Sequence, residues 1–245
     1  MSIELYTGAA QLHTLEQWQA NIAHNLSNSE TPGFQQSRFE IRGHRPAEVQ
    51  NAGAPGDVET AFPLGRTRQL FGAGELQVTG NPYDFAIQGE GFFAVRAPQG
   101  QMLYTKDGEF HPNAEGVLVN KMGYPVLSGG EEIEIRMDEG PVSVAEDGTL
   151  SQNGREIAQL SVFRADSPQN LSRGNGSYFM DLRDEAGMEE VEQPTVLQGQ
   201  LQMSSVQPLR EMVSMIKAAR AYEITQKMVQ SEDQRLEQAI QTFSV

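Results

Sequence analysis

Histidine side chains are the first groups in this sequence that could perform chemistry. The chain has 245 residues with four histidines and no cysteine, so disulfides, thiolate metal sites and cysteine nucleophiles are excluded. His13 and His24 lie too far apart in a helical pattern to bind one metal ion from adjacent turns, and His44 and His111 are isolated in loop-like stretches. We therefore predict neither a metal site nor a catalytic histidine.

Paired acids are the second kind of reactive group. Asp84 with Glu90, or Asp107 with Glu109, could supply the two carboxyl groups of a glycosidase. Because the chain contains 33 acidic residues, however, such pairs arise by chance in almost any β-rich domain of this composition. No G-x-S-x-G segment accompanies the serines. A β-rich extracellular carbohydrate-active enzyme stays an alternative, but the predicted function is not enzymatic.

Two further segments imitate ligand-binding loops. The segment G-E-G-F-F-A, from Gly89 to Ala94, matches the dinucleotide pattern G-x-G-x-x-A, but β-prone residues follow it where that pattern needs a helix. The segment from Asp107 to Leu118 has acids spaced as in a calcium loop, but Pro112 and Leu118 replace the required Gly and Glu. We predict no cofactor.

The charge of the chain limits its partners. There are 18 Lys and Arg against 33 Asp and Glu, a net charge of −15, which disfavours nucleic acid and anionic membrane surfaces. The longest apolar run, Phe92 to Val95, is far shorter than the roughly 20 residues of a membrane span. The first residues carry Glu4 instead of a basic region, which predicts no cleaved signal peptide.

Two stretches at the ends of the sequence have the apolar spacing of long helices. Apolar residues recur at alternating intervals of three and four, and Pro208 stands where the second helix would begin. This narrow spacing predicts a coiled-coil-like helix pair and an assembly interface, formed by Leu5, Leu12, Leu15, Ile22 and Leu26 with Met212, Met215, Ala219, Tyr222, Val229, Leu236, Ile240 and Phe243.

Between the helices, short β-prone runs alternate with turn dipeptides such as Asp107-Gly108, Asp147-Gly148 and Asn153-Gly154. This pattern predicts an α+β protein with a central, mainly antiparallel β domain. The predicted divisions are a terminal helical domain (1–34 and 206–245), an extended connector with a short strand near Leu76 (35–80), and a β-rich domain (81–205).

The segment N-L-S-N-S-E-T-P-G-F, from Asn25 to Phe34, predicts a sharp exit from the first helix. Pro32 disfavours helix at the residue before it, and Gly33 permits a reversal. Asn and Thr side chains in such a segment can satisfy turn backbone groups. We call this segment the elbow, with Asn25, Asn28, Thr31, Pro32, Gly33 and Phe34 as its signature residues.

These segments carry a resemblance to a known family. The stretch I-A-H-N-L-S-N-S-E-T-P-G-F resembles the rod signature of bacterial flagellar axial proteins, and Thr79 to Val95 resembles the centre of the rod and hook proteins. The stretch A-A-R-A-Y-E, with Arg220 and Glu223, resembles the terminal signature of that family. The chain is identified as a member of the flagellar basal-body rod family. It is most like the proximal rod type, because the connector before Asp84 is short; a distal rod or hook-type protein is the alternative.

The resemblance implies a structural subunit. Copies of the chain and other rod proteins would polymerise through their terminal helices into a hollow driveshaft that transmits torque across the periplasm and surrounds the export channel. Export would use the flagellar type III apparatus without a cleaved signal peptide. Two positions depart from the family pattern: His24 stands where Asn is usual, and Gln35 where Lys or Arg is common.

A third interpretation is a monomeric β-domain binding protein whose helices close on themselves. In the assembly interpretation, the elbow is the segment that connects the helical tube to the β domain. A Gly33→Val change is therefore expected to harm assembly more than the stability of the β domain.

Overall fold

The described part of the chain divides into two units. The computed structural model describes residues 3–44, 62–174 and 176–243. Of these, the helical unit comprises 3–27, 37–44, 62–68 and 207–243, and the β unit comprises 28–36, 69–174 and 176–206. No helix in these described ranges is long and apolar enough to cross a membrane.

The helical unit contains two helices and a two-stranded sheet. Helix α1 spans Ile3–Ser27 and helix α2 spans Pro208–Phe243. Proline fits the first turn of a helix, where its missing N–H is not needed, and Glu211 in that turn faces the positive end of the helix dipole. Strands β1 (Ser37–His44) and β2 (Phe62–Gln69) pair with each other, although the sequence predicted only a connector with one short strand there.

The protein is α+β, but the prediction of a coiled-coil-like helix pair is wrong. Helix α1 has 25 residues and α2 has 36, so the two are unequal and short for a long coiled coil. Among the residues of α2 whose side chains are described, Glu211, Ala218 and Thr225 are buried, whereas Met212 of the predicted stripe is 46% exposed. A coiled coil packs large apolar side chains along its contact, and α2 instead packs small and polar ones.

The β unit consists of short antiparallel strands. Its main sheet has six strands in the order β15-β16-β6-β5-β14-β17, one sheet has three strands in the order β11-β12-β13, and the remaining strands pair as β3 with β19, β4 with β18, β7 with β8, and β9 with β10. The strands are β3 (Leu76–Val78), β4 (Phe85–Ile87), β5 (Phe92–Arg96), β6 (Met102–Thr105), β7 (Phe110–Pro112), β8 (Leu118–Asn120), β9 (Leu127–Ser128), β10 (Glu131–Glu132), β11 (Val142–Val144), β12 (Thr149–Gln152), β13 (Arg155–Gln159), β14 (Val162–Ala165), β15 (Ser172–Arg173), β16 (Tyr178–Met180), β17 (Met188–Glu190), β18 (Val196–Gln198) and β19 (Gln200–Gln202).

Strand β5 lies between two hydrophobic cores. Because side chains alternate along a strand, Phe93 and Val95 enter one core while Phe92 and Ala94 enter the other. The ring of Phe93 meets that of Phe110 edge to face at 5.3 Å between centroids, and the ring of Phe92 meets that of Phe179 at 5.9 Å. This two-sided burial explains why the sequence of β5 is a continuous apolar run rather than an alternating one.

Two of the three turn dipeptides named above lie in hairpin turns. Asp147-Gly148 joins β11 to β12, and Asn153-Gly154 joins β12 to β13 with positive φ angles of 51° and 76°. Such angles are those of a two-residue hairpin turn. Asp107-Gly108 is the exception, because it lies between β6 and β7, which belong to different sheets. Gly108 is needed there for close packing, since a methyl group at this position would lie 1.7 Å from the Phe85 carbonyl oxygen.

Candidate functional site

The contact between α1 and α2 is the first region that the sequence singled out. On α1 the buried side chains are Thr14, Leu15, Ile22 and Asn25. A methyl group at Gly8 would lie 2.6 Å from Cγ2 of Val229, so the backbone of α1 passes close to α2 at this point. Small residues permit such close approach of two helices, and the contact depends on shape more than on large apolar area.

The predicted assembly residues fall into three groups. Leu15 and Ile22 are buried within the helical unit, and Leu12, Leu26, Met215, Ala219, Tyr222 and Val229 are partly buried. Met212 is exposed, as are the signature residues Arg220 and Glu223. Leu5, Leu236, Ile240 and Phe243 lie in the two helices, but their side chains are outside the described part of the structure.

Helix α2 has a second apolar side. Ile216 and Thr225 are nine positions apart, which at about 100° per residue puts them on opposite sides of the helix. Thr225 is buried and Ile216 is 55% exposed. The side of α2 that carries Ile216 is the outer face, which consists of Leu209, Met212, Val213, Ile216, Ile224 and Met228, all exposed.

Asn25 closes the end of α1 onto β1. Its Nδ2 donates to the Ser37 carbonyl oxygen at 2.7 Å, and its Oδ1 accepts from the Ser37 backbone N–H and hydroxyl, both at 3.0 Å. The Nδ2 of Asn21 also donates to the Ser37 hydroxyl, at 2.8 Å. The Asn25 side chain is buried, so it takes the place of water for both backbone groups of Ser37.

The elbow segment after Ser27 belongs to the β unit. Asn28 and Thr31 form a turn in which the Thr31 N–H donates to the Asn28 carbonyl oxygen at 3.3 Å, and partly buried Pro32 follows it. Gly33 has a φ of 69°, and its N–H donates to the Gln202 carbonyl oxygen at 2.7 Å. A methyl group at Gly33 would lie 2.1 Å from the backbone nitrogen of Asp107, so only glycine fits here.

Phe34 is the apolar anchor of the elbow. Its side chain is fully buried, and the Arg173 guanidinium lies 4.3 Å from the ring centroid. The Ser205 N–H donates to the Phe34 carbonyl oxygen at 3.0 Å. Burial lowers the pKa of Arg173, whose cation is held against the ring and by the Oε1 of Gln69 at 3.3 Å.

Gln35 is buried where the family pattern often has a basic residue. Its Oε1 accepts the Gly72 N–H at 2.9 Å, which a lysine or arginine could not do. Sequence reasoning did not identify Gly72, Arg173, Gln202 or Ser205 as partners of the elbow. Each is distant from it in the chain and lies in no motif, so a single sequence holds no signal for them.

One acid of each candidate carboxylate pair, Asp84 and Asp107, is buried inside the fold. Asp84 accepts hydrogen bonds from the Thr79 hydroxyl at 2.6 Å and the Asn81 amide at 2.9 Å. Burial raises the pKa of Asp107 to about 6. The Glu109 backbone N–H and the charge of Lys121 favour the charged form of Asp107 and so partly oppose this rise. Among the described residues there is no group of three or more His, Asp or Glu that could hold a metal ion.

Comparisons with known proteins cover nearly the whole chain. Residues 86–152 match the family model of the flagellar hook protein FlgE/F/G D1 domain, and residues 197–242 match that of the flagellar basal body rod FlgEFG protein C-terminal region. The chain is similar to the flagellar basal-body rod protein FlgF of Caulobacter vibrioides, with 34% identity over 94% of this chain and 93% of that protein.

Two further relatives have comparable coverage. The flagellar basal-body rod protein FlgF of Mesorhizobium japonicum is 30% identical over 99% of this chain and 98% of its own length. The flagellar basal-body rod protein FlgG of Borreliella burgdorferi is 34% identical over 95% of both chains.

Proposed function

The chain belongs to the flagellar basal-body rod protein family, and from that premise we propose how it assembles. It is a structural subunit of the flagellar basal body, and the prediction of this family and role from the sequence is confirmed by relatives that match almost end to end. The proposal concerns the interface, the position in the rod and the absence of catalysis.

The outer face of α2 is the observation that carries the proposal. Leu209, Ile216 and Ile224 are 74%, 55% and 61% exposed, on a helix whose opposite side already packs on α1. Exposed apolar side chains of this size, here interleaved with Arg220, Glu223 and Lys227, mark a protein interaction surface. Copies of the chain bury this face against one another and against other rod proteins, and the helices form the wall of a hollow driveshaft around the export channel.

Burial of these side chains supplies the stability of the tube. Each large apolar residue that moves from water into a contact contributes roughly 1.5 to 3 kcal/mol when fully buried. Leu5, Leu236, Ile240 and Phe243 extend this interface along the two helices. Arg220 and Glu223, both exposed, lie among these apolar residues and supply charged contacts within the interface. The proposed domains are the helical tube from 1–34 and 206–245, the connector from 35–80 and the β-rich domain from 81–205.

The subunit takes a place in the proximal rod, within the periplasm, and reaches it through the flagellar type III apparatus without a cleaved signal peptide. The short connector before Asp84 supports the proximal position over a distal rod or hook-type one. The proposed subunit has no catalytic role. The buried carboxylate of Asp84, one of the candidate catalytic acids, already accepts hydrogen bonds from Thr79 and Asn81.

A double substitution on the outer face tests the interface. Ile216→Ser with Ile224→Ser should raise the concentration needed for assembly at least tenfold, which corresponds to about 1.4 kcal/mol. Assembly is measured by sedimentation and negative-stain microscopy of the concentrated protein, alone and with other rod proteins. The unfolding midpoint of the monomer in urea should change little, because both side chains are exposed.

The matched control is Gln226→Ser with Gln230→Ser, at exposed polar positions of the same helix. This pair should assemble as the original chain does. The proposed interface is wrong if the isoleucine variant assembles at an unchanged concentration. Strictly monodisperse monomers of the original chain in every mixture would contradict the assembly function itself.

A further inference from the structure

The two-stranded sheet of β1 and β2 turns one face toward α1. The Ser37 hydroxyl accepts a hydrogen bond from the Nδ2 of Asn21, in α1, at 2.8 Å. A methyl group at Gly65 would lie 2.0 Å from Cζ of Phe39 and 3.0 Å from Oε1 of Gln17, which also belongs to α1. Because side chains alternate along a strand, the residues between these positions point to the opposite face.

The opposite face carries arginines. By this alternation Arg38 of β1 lies there together with Arg66 and Arg68 of β2, and all three side chains are exposed. We call these three residues the arginine face. Glu40 is the only acid among the side chains described on this face, so the face is positive. Arg38 and Arg66 pair with no acid in the described part of the chain.

A positive surface has a particular value in a chain of net charge −15. Copies of such a chain repel one another at long range. A contact between them forms most readily where surfaces of opposite charge meet, since complementary charges speed the encounter and fix the register of the two partners. The fitting partner of the arginine face is therefore an acidic surface.

The β unit offers such a surface at residues 181–192, which we call the acidic edge. This segment contains six acids and a single arginine. It includes β17, the last strand in the order of the six-stranded sheet. Asp184, Glu185 and Glu192 are exposed, and none of the three forms an ion pair within the described ranges. Their charge is thus available to a partner.

A second acid-rich stretch, residues 131–139, fits less well. Glu132 already pairs with Arg96 at 3.2 Å, and Glu139 pairs with Arg136 at 2.7 Å. These arginines belong to the same unit and offset part of the negative charge around them. The acidic edge therefore has more unpaired negative charge for an incoming arginine face.

We propose that the arginine face binds the acidic edge of a neighbouring copy of this chain, a proposal that rests on the assembly function above. The contact joins the helical unit of one copy to the β unit of the next. Because the two surfaces differ and each copy carries both, the contact repeats from copy to copy instead of closing a symmetric dimer. It is separate from the contact made by the outer face of α2.

Charge reversal tests each side of the contact. Arg38→Glu with Arg66→Glu reverses the arginine face, and Glu185→Lys with Glu192→Lys reverses the acidic edge. Each double variant should raise the concentration needed for assembly at least tenfold, because like charges then meet. The urea midpoint of each monomer should change little, since all four side chains are exposed. Sedimentation under the conditions in which the original chain assembles measures the concentration.

An equal mixture of the two double variants distinguishes a contact between copies from a contact within one copy. When unlike copies alternate, each reversed arginine face meets a reversed acidic edge, and the two original surfaces meet each other. Assembly of the mixture should therefore return to within about threefold of the original concentration. One chain that carries all four substitutions should assemble in the same range.

The matched control is Arg136→Glu with Arg155→Glu, at exposed positions of the β unit. It changes the net charge as much as reversal of the arginine face does, and it should assemble within about threefold of the original concentration. Salt gives a second control. In 1 M salt, where the Debye length is about 3 Å, the defects of both reversed variants should shrink below about threefold relative to the original chain in the same salt.

The outcomes separate this contact from the assembly function. Assembly of either reversed variant at the original concentration overturns the proposed pairing, because each side is required. Rescue by the four substitutions in one chain without rescue in the mixture also overturns it, since the contact would then lie within one copy. Both results leave the assembly function standing. Failure of the original chain to assemble in any mixture overturns the assembly function and this contact together.

Discussion

In the β unit the largest apolar side chains lie inside, whereas along α2 they lie outside. Phe85, Phe93 and Phe179 are fully buried between the sheets. Helix α2 buries Ala218 and Thr225 and exposes Ile224. The β unit thus completes its own hydrophobic core, while the helical unit leaves apolar side chains of α2 exposed. The difference separates residues that maintain the fold from the residues that we propose build the assembly.

Phe93→Ala should give the largest effect on the stability of the chain. Loss of a fully buried ring removes its apolar contacts and leaves a cavity. We therefore expect the free energy of unfolding to fall by about 3 to 5 kcal/mol. Urea denaturation measures the loss. The control is Ile216→Ala on the outer face, which should cost less than about 0.5 kcal/mol. Equal losses in the two variants would break the contrast between the units.

Gly33→Ala comes second, with an expected loss of about 3 kcal/mol in the free energy of unfolding. The new methyl group meets the backbone of Asp107, which cannot move aside as a side chain can, and φ is positive. Gly80→Ala is the control, since φ is 74° there and the added methyl group meets nothing within 4 Å. It should cost only about 1 kcal/mol, in strain.

The surroundings of Gly33 also revise the expectation drawn from the sequence. The sequence predicted that Gly33→Val would harm assembly more than the stability of the β domain. Because Gly33 packs against backbone atoms of the β unit, a valine there should destabilise the β unit itself. An unchanged urea midpoint for Gly33→Ala would restore the original interpretation.

Asp107 should make the stability of the β unit depend on pH. Its folded-state pKa is about 6, above the usual 3.8 of an aspartate carboxyl, so between these values the folded state holds a proton that the unfolded state has lost. Stability therefore falls as pH rises from 4 through 6 and then levels, by up to about 3 kcal/mol. Asp107→Asn, which can still accept the Glu109 N–H, should be more stable than the original at pH 7 and equal to it at pH 4. Parallel pH profiles for the two proteins would contradict this assignment.

Asn25→Ala should have the smallest effect of the series, about 1 to 2 kcal/mol on the free energy of unfolding. It leaves the buried N–H and C=O of Ser37 without their partner, although the helical unit stays otherwise intact. Asn21→Ala is the control, since Asn21 makes one hydrogen bond to the Ser37 hydroxyl. Thermal unfolding of both variants, followed by circular dichroism, measures the difference, and an Asn21 loss as large as that of Asn25 would refute the special role of Asn25.

The helices could be predicted from the sequence, but only part of the face on which they pack. Spacing identified α2 and its beginning near Pro208, since nothing after that proline interrupts the helix. The same spacing assigned Met212 to the contact, and the structure buries Glu211 and Ala218 instead. A helix with two apolar sides gives two equally good stripes. Val229 of the predicted stripe does meet Gly8 of α1, so the contact overlaps one edge of that stripe, and no rule based on hydrophobicity detects the close approach at a glycine.

The elbow was recognisable as a turn, but its surroundings were not. Pro32 and Gly33 define the reversal through local backbone preferences, which a single sequence displays. The partners of Phe34 and Gln35 come from residues more than 30 positions away, such as Arg173 and Gly72. Strand β1 is a different case, because its sequence F-E-I-R alternates apolar with charged residues, whereas the prediction treated residues 35–80 as a connector.

The pairing of early with late segments in both units has a consequence for the time course of folding. Strand β3 pairs Leu76 with Gln202, and Gly8 of α1 meets Val229 of α2. A ribosome adds residues from the N-terminus at about 5 to 20 per second, so each early segment waits for its partner. Until then α1 is an isolated helix of marginal stability, and β3 has no partner strand. Completion of both units therefore follows the synthesis of residues 200–229.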